Sequence, residues 1–321
     1  MKEKDSARMS RNNRTNDFGR EVIEGIRNRA TRFLIVSLLS VSVLCVIVFI
    51  YLAVHMNYKS SETIGKIGKI YMSGMSEQVA MHFETAIELR LSQLNELLET
   101  IQTEITDEEK LRQELTREAR IRGFEYLAFY SSDGEFDMIY GNQIRLMDPP
   151  PFLHSLNQGE KKVAIGKDAT EADIVLMGVP VTGSMSDGRE CRALVAGLPV
   201  RYIEETLFLN ENSSMEYYFI IRRDGSFILR GDDVVDENYF DRVWNRYENV
   251  GELTPEEYVT ELGIAMDAQR DFSSEFTIEG ERRHLYCTSL SYSEWFLLVF
   301  MPYGILDETI ADLGGEWVIK A

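Results

Sequence analysis

The chain has 321 residues, 44% of them hydrophobic, which is enough for a real core and more length than one ordinary domain needs. Its formal net charge of −19 excludes a nucleic-acid partner, because a phosphate backbone requires a basic surface. Three cysteines without CxxC spacing argue against a disulfide framework and against a metal centre, leaving Cys45, Cys191 and Cys287 as free buried thiols.

The charge is unevenly spread. Residues 1–32 carry nine Lys/Arg against five acids, a local +4 that leaves −23 for the remainder. Phe33 to Met56 contains no Asp, Glu, Lys or Arg, and about 20 apolar residues cross a bilayer as a helix. Basic flanks stay cytoplasmic, so residues 1–32 are expected inside, 33–56 in the plasma membrane, and the acidic bulk after about 56 outside. A cleaved signal peptide competes, but the apolar run is too long and no small-x-small site follows.

No proline precedes Pro149, which permits a long helical start over 57–122. Val79, Phe83, Ile87, Leu91, Leu94, Leu98, Ile101 and Ile105 recur at steps of three or four, one amphipathic stripe. Thr106 and Glu109 fit a capping box for a fresh helix, continued by Leu111, Leu115 and Ala119 and stopped at Gly123. The stripe packs on its own domain; pairing with a second copy as a homodimer through the long helix is a further expectation.

Beyond Gly123 the chain repeats itself. EYLAFYSSDGEF from Glu125 aligns with EYYFIIRRDGSF from Glu216 at an offset of 91, each an apolar strand, an Asp-Gly turn and a second strand. LVAGLPVRYIEETL from Leu194 aligns with LLVFMPYGILDETI from Leu297 at an offset of 103. The second unit therefore carries 12 more residues, placed around Asn249 to Asp271. Middle strands are predicted at 162–167 and 174–181, and at 274–278 and 284–290. The fold class is α+β: two tandem units with antiparallel sheets, 123–210 and 211–313, before a tail at 314–321.

An anchor, a long helix and two such units together resemble a double Cache (tandem PAS-like) sensor region. GFEYLAFYSSDGEF, FLHSLNQGEKKVAIG, ALVAGLPVRYIEETL and GERRHLYCTSLSYSEWFLLVFMPYGILDET are similar to sensor regions of Firmicute receptors, mostly hybrid sensor histidine kinases, with some diguanylate cyclases. The resemblance covers residues 57 to about 313. It implies a small-molecule pocket in the first, membrane-distal unit, with the second unit and its terminal helix relaying the signal. After Leu313 the chain reads GGEWVIKA without a second span or an output module, which reads as a truncation. A stand-alone anchored binding or accessory protein is the alternative.

Catalytic motifs are missing: no GxSxG, P-loop or GGDEF stands in the sequence, and His55, His82, His154 and His284 all fall at or beyond the outer membrane edge. The expectation is a receptor that is not itself an enzyme and needs no cofactor or metal. Candidate ligand residues come from strand alternation and pocket chemistry. Tyr126 and Tyr130 share one strand face with Ala128, Tyr140 and Arg145 are placed on the return strand, and Lys167 and Asp173 flank the next hairpin. Arg145 and Asp173 on opposite walls suit a zwitterion, although the Arg-x-x-Trp-Tyr pattern of amino-acid-binding double Cache domains is missing. Tyr239, Phe240, Trp244 and Tyr247 are expected as a core-packing helix face, and His284 as a solvated or hydrogen-bonded residue at a strand start.

Overall fold

The structure is a computed structural model that describes residues 2–102, 108–184, 189–207, 217–231, 234–249, 253–278 and 280–302. The expected cap at Thr106, the terminal helix at 307–313 and the tail lie outside those residues. The chain divides into Met1–Gly65 and Lys66–Ala321, each taken by itself.

The first unit is the leading part of helix α1 (Lys2–Gln102). Within it Ile35–Met56 is long and apolar enough to cross a membrane, and its side chains are exposed along the whole stretch. No burial among the described residues explains 22 such residues, which is the pattern expected of a lipid-facing helix.

In the second unit the rest of α1 is followed by α2 (Glu108–Ile121). Gly123, at φ +75°, ends α2: its N–H bonds Arg120 O and the Phe124 N–H bonds Ala119 O, a Schellman closure. Next come β1 (Tyr126–Ser131), β2 (Phe136–Tyr140), β3 (Ile144–Leu146), α3 (Pro149–Asn157), β4 (Lys162–Asp168), β5 (Asp173–Ser184), β6 (Glu190–Pro199) and α4 (Arg201–Leu207). The second half repeats the scheme with β7 (Tyr217–Arg222), β8 (Phe227–Leu229), α5 (Tyr239–Arg246), β9 (Tyr247–Asn249), α6 (Pro255–Asp267), β10 (Phe272–Ile278), β11 (Glu281–Ser289) and β12 (Trp295–Pro302). Strand β9 stands where β3 does and α6 where α3 does, so the 12 extra residues fall between β8 and β9, with α5, and not around Asn249 to Asp271. Thr254 with Glu257 closes a capping box at the start of α6.

Both sheets are antiparallel and six-stranded in one order, β2-β1-β6-β5-β4-β3 and β8-β7-β12-β11-β10-β9. By their order in the chain alone, the first is named the distal sheet and the second the proximal sheet. One face of each packs on the helical spine: Phe83, Ile87, Leu91 and Leu94 of α1 share a core with Leu127 and Met177 of the distal sheet and with Leu297 and Val299 of the proximal one. The opposite faces carry separate cores, under α3 on the distal sheet and under α5 and α6 on the proximal sheet.

Candidate functional site

Alternation along β1 sends Tyr126, Ala128 and Tyr130 to the α3 side of the distal sheet and Leu127 to the α1 side. Pro149, Pro150 and Pro151 form the first turn of α3, where a fixed φ fits and no helical N–H is lost. Phe152 and Leu156, four residues apart, then lie on the sheet. Gly178 of β5 makes room for them, since a Cβ there would stand 2.6 Å from Phe152 Cζ. The Tyr130 ring lies 4.8 Å from Phe136 and 5.6 Å from Phe152, centroid to centroid.

Polar groups in this layer are few. The Tyr126 hydroxyl donates to Asp168 Oδ2 at 3.0 Å, and burial first, Asp168 second, pushes its pKa up to about 12. Asp168 Oδ1 accepts the Thr170 N–H at 2.8 Å, the Thr170 hydroxyl at 2.7 Å and the Ala172 N–H at 2.9 Å. The Thr170 hydroxyl foremost holds this carboxyl below its usual range, and so it accepts as an anion. The Tyr130 hydroxyl is fully buried with no hydrogen-bond partner, and burial raises its pKa.

The six candidate residues do not share one wall. Tyr126 and Tyr130 face α3. Tyr140, across from Leu127 on β2, lies on the helix side, where the Arg120 guanidinium stands 5.3 Å from its ring. Arg145 is not on the return strand with Tyr140. Gly141, at φ +89° and pressed against the Glu125 carbonyl, turns the chain away, and Arg145 falls on β3 at the opposite sheet edge. There Arg145, Lys167 and Asp173 stand side by side across β3, β4 and β5. Arg145 bonds Glu171 at 2.7 Å and Lys167 pairs with Asp173 at 3.2 Å, so these charges satisfy one another rather than facing across a cavity.

On the proximal sheet the corresponding face is filled. Tyr247 OH donates to Tyr239 OH at 3.3 Å, and Tyr239 OH bonds Tyr258 OH at 2.6 Å, all buried under α5 and α6. Trp244 is 56% exposed and leaves the expected core face, because α5 buries Tyr239, Arg242 and Val243, and Tyr247 already belongs to β9. His284 is buried rather than solvated, its Nδ1 3.6 Å from Glu275 Oε1 on the neighbouring strand.

A cleft of about 410 Å³ opens where the two sheets meet, between the start of α3, β4 and the β7–β8 turn. Phe152 and Trp295 form apolar walls; Asp148, Lys162, Arg222 and Glu294 supply charge. The Lys162 ammonium pairs with Glu294, and a second cavity of about 500 Å³ shares Lys162, Glu294 and Trp295. Sequence reasoning passed over these residues, yet the 91-residue offset carries a signal. Arg222 and Arg223 of the second hairpin replace Ser131 and Ser132 of the first, a gain of two cations that the turn itself does not require.

No family model and no curated protein matches the chain. Solved structures do. The ligand-binding domain of the Pseudomonas fluorescens chemoreceptor CtaA in complex with L-isoleucine is 14% identical with a TM-score of 0.53, covering 75% of this chain and 94% of that one. That of the Pseudomonas aeruginosa PAO1 amino acid chemoreceptor PctB in complex with L-Arg is 15% identical at 0.51, over 75% and 92%. The ligand-binding domain of Mlp24 with asparagine is 12% identical at 0.50, over 76% and 96%. These likenesses show the fold: a long helix followed by two antiparallel sheets in the double Cache arrangement.

Proposed function

We propose that this chain is the extracytoplasmic ligand-sensing region of a membrane receptor, of the kind that feeds a sensor histidine kinase, and that it is not itself an enzyme. The observation that carries the reading is α3. A nine-residue helix, started by prolines that donate no N–H, roofs the face of the distal sheet that α1 leaves uncovered. Its Phe152 touches both the layer beneath and the adjoining cleft. A small molecule that shifts α3 changes the packing on Tyr126 and Tyr130, and only a ligand with different affinity for the two arrangements can drive a signal.

The neighbours named above were solved with amino acids, which makes amino acids the first compounds to try, against the missing Arg-x-x-Trp-Tyr pattern. Tyr126, with its hydroxyl on Asp168, and Tyr130 are the ligand-facing residues of this proposal. Arg145, Lys167 and Asp173 brace the β4–β5 hairpin. The nine basic residues of 1–32 support a cytoplasmic N-terminus and an outward-facing sensor. Exposed Ile67, Ile70, Tyr71, Met81 and Leu89 on α1 support a homodimer through the long helix.

The test is a thermal-shift screen of the full chain in lipid nanodiscs against amino acids, organic acids and other small metabolites. A hit must stabilise the wild type and lose most of its shift in Tyr126→Phe, which keeps the ring and removes the bond to Asp168. Hits that ignore Tyr126→Phe and Phe152→Ala alike would overturn the placement of the ligand under α3.

A further inference from the structure

We infer that the cleft between the two sheets is a second binding site, for a small organic monocarboxylate with an apolar body. Its volume of about 410 Å³ lies within the range of small-molecule sites, roughly 300–1,000 Å³. Its make-up also fits: buried Phe152 and Trp295 as walls, with a few charges converging on them.

The charges select the ligand. Arg222 is half-buried, and its hydrogen bonds among the described residues are backbone ones, to and from the β7–β8 turn. Its guanidinium, beside Asp224, therefore has donors to spare, and a planar fork suits a carboxylate. Arg222 lies directly across from Trp295 in the β7–β12 register, and the residue before Trp295 is Glu294, which holds Lys162. Thus Lys162 from the distal sheet and Arg222 from the proximal sheet flank one spot, with Glu294 as the built-in anion.

An incoming carboxylate competes with Glu294 for Lys162 and gains Arg222 as well, replacing an internal ion pair by a ligand bridge between the sheets. The other cation of the turn, Arg223, is engaged by Asp267. Asp148 and Asp224 also line the cleft, and they repel a dianion such as a phosphate monoester more than a monoanion. The prolines of α3 remove the N–H groups that would otherwise attract phosphate to a helix start. The cleft adjoins the α3 face at Phe152, but Arg222 and Glu294 line the cleft alone and Tyr126 belongs to the α3 face alone, so either assignment can fail without the other.

The experiment is calorimetric titration of the full chain in nanodiscs with phenylacetate and hexanoate, with phenylacetamide as the neutral control. Saturable binding of a carboxylate is expected, with the amide at least about tenfold weaker, the size of one charge-assisted contact. Arg222→Gln is expected to weaken the carboxylate about tenfold or more. Glu294→Gln, which frees Lys162 and alters an exposed side chain, is expected to tighten it by about threefold. The inference is overturned if neither carboxylate saturates, if the amide binds equally well, or if a folded Arg222→Gln binds as the wild type does. If Arg222→Gln does not fold, Glu294→Gln decides: no gain in affinity overturns it.

Discussion

The Val163 amide of β4 donates to the Tyr292 carbonyl at 2.7 Å, so the distal sheet is hydrogen-bonded to the turn between β11 and β12 of the proximal sheet. Tyr292 holds that carbonyl in place from a left-handed backbone, φ +64°, rarely adopted by a residue of its size. Next to it, Lys162 pairs with Glu294, and Ser291 Oγ donates to Glu84 of α1 at 3.0 Å. Three adjacent residue pairs thus join distal sheet, proximal turn and spine.

Lys162→Met tests this joint. The Glu294 partner is 56% exposed, so the pair contributes at most about 1 kcal/mol and the melting midpoint should hardly move. Local opening is another matter. Hydrogen exchange at the Val163 amide should quicken in the variant, because both contacts close the same joint. Unchanged exchange there would mean that the ion pair plays no part in coupling the sheets.

Gly178→Ala places a methyl 2.6 Å from Phe152 Cζ and 3.2 Å from Leu156 Cδ2. Overpacking of this kind costs about 1–3 kcal/mol, measurable by urea unfolding. Adding Phe152→Leu, which vacates the clash, should recover part of the loss and give a coupling of about 0.5 kcal/mol or more. Strict additivity of the two changes would show that α3 does not seat on Gly178.

Two tyrosine-to-phenylalanine changes should have opposite effects. Tyr130→Phe removes a buried hydroxyl that has no partner, so it should be neutral or stabilising by up to about 1 kcal/mol. Tyr239→Phe takes the central member from the Tyr247–Tyr239–Tyr258 chain and should cost about 1–3 kcal/mol. Equal costs in denaturant titrations would count against an unsatisfied Tyr130 hydroxyl.

His284 predicts an acid-side loss of stability. Burial foremost lowers its pKa, with Arg282 adding to that and Glu275 opposing it. The unfolded chain therefore takes up a proton on His284 near pH 6.5 while the folded chain resists it. The neutral imidazole's contribution is present above that pH and is lost as pH falls toward the lower folded value. His284→Gln should flatten the stability profile between pH 7 and 5, and an unaltered slope would refute the assignment.

Much of the fold was legible because it is written in local pattern. Asp-Gly between apolar runs gave both hairpins, with Gly134 at φ +89° and Gly225 at φ +82° in the turns. The stripe from Phe83 to Leu98 gave the buried side of α1. The candidate site was legible only in part. Alternation puts Tyr126 and Tyr130 on one face, but a three-residue strand after Gly141 leaves no periodicity to detect, and so the pattern does not show that Arg145 lies on β3 rather than on the return strand. Trp244 follows Phe240 by four residues, but α5 buries Tyr239, Arg242 and Val243, and that face leaves Trp244 outside.

By itself the sequence determined the features that depend on residues near one another in the chain. These are the apolar span, the duplicated hairpin-to-strand units and the alternation of strand faces, each set by covalent spacing against a helix or strand period. The tertiary structure decided which distant groups meet. Lys162 and Glu294 are 132 residues apart and come together only because both sheets dock on one helical spine. That docking is set by shape and apolar area rather than by any spacing, and from it follow the joint between the sheets and the cleft beside it.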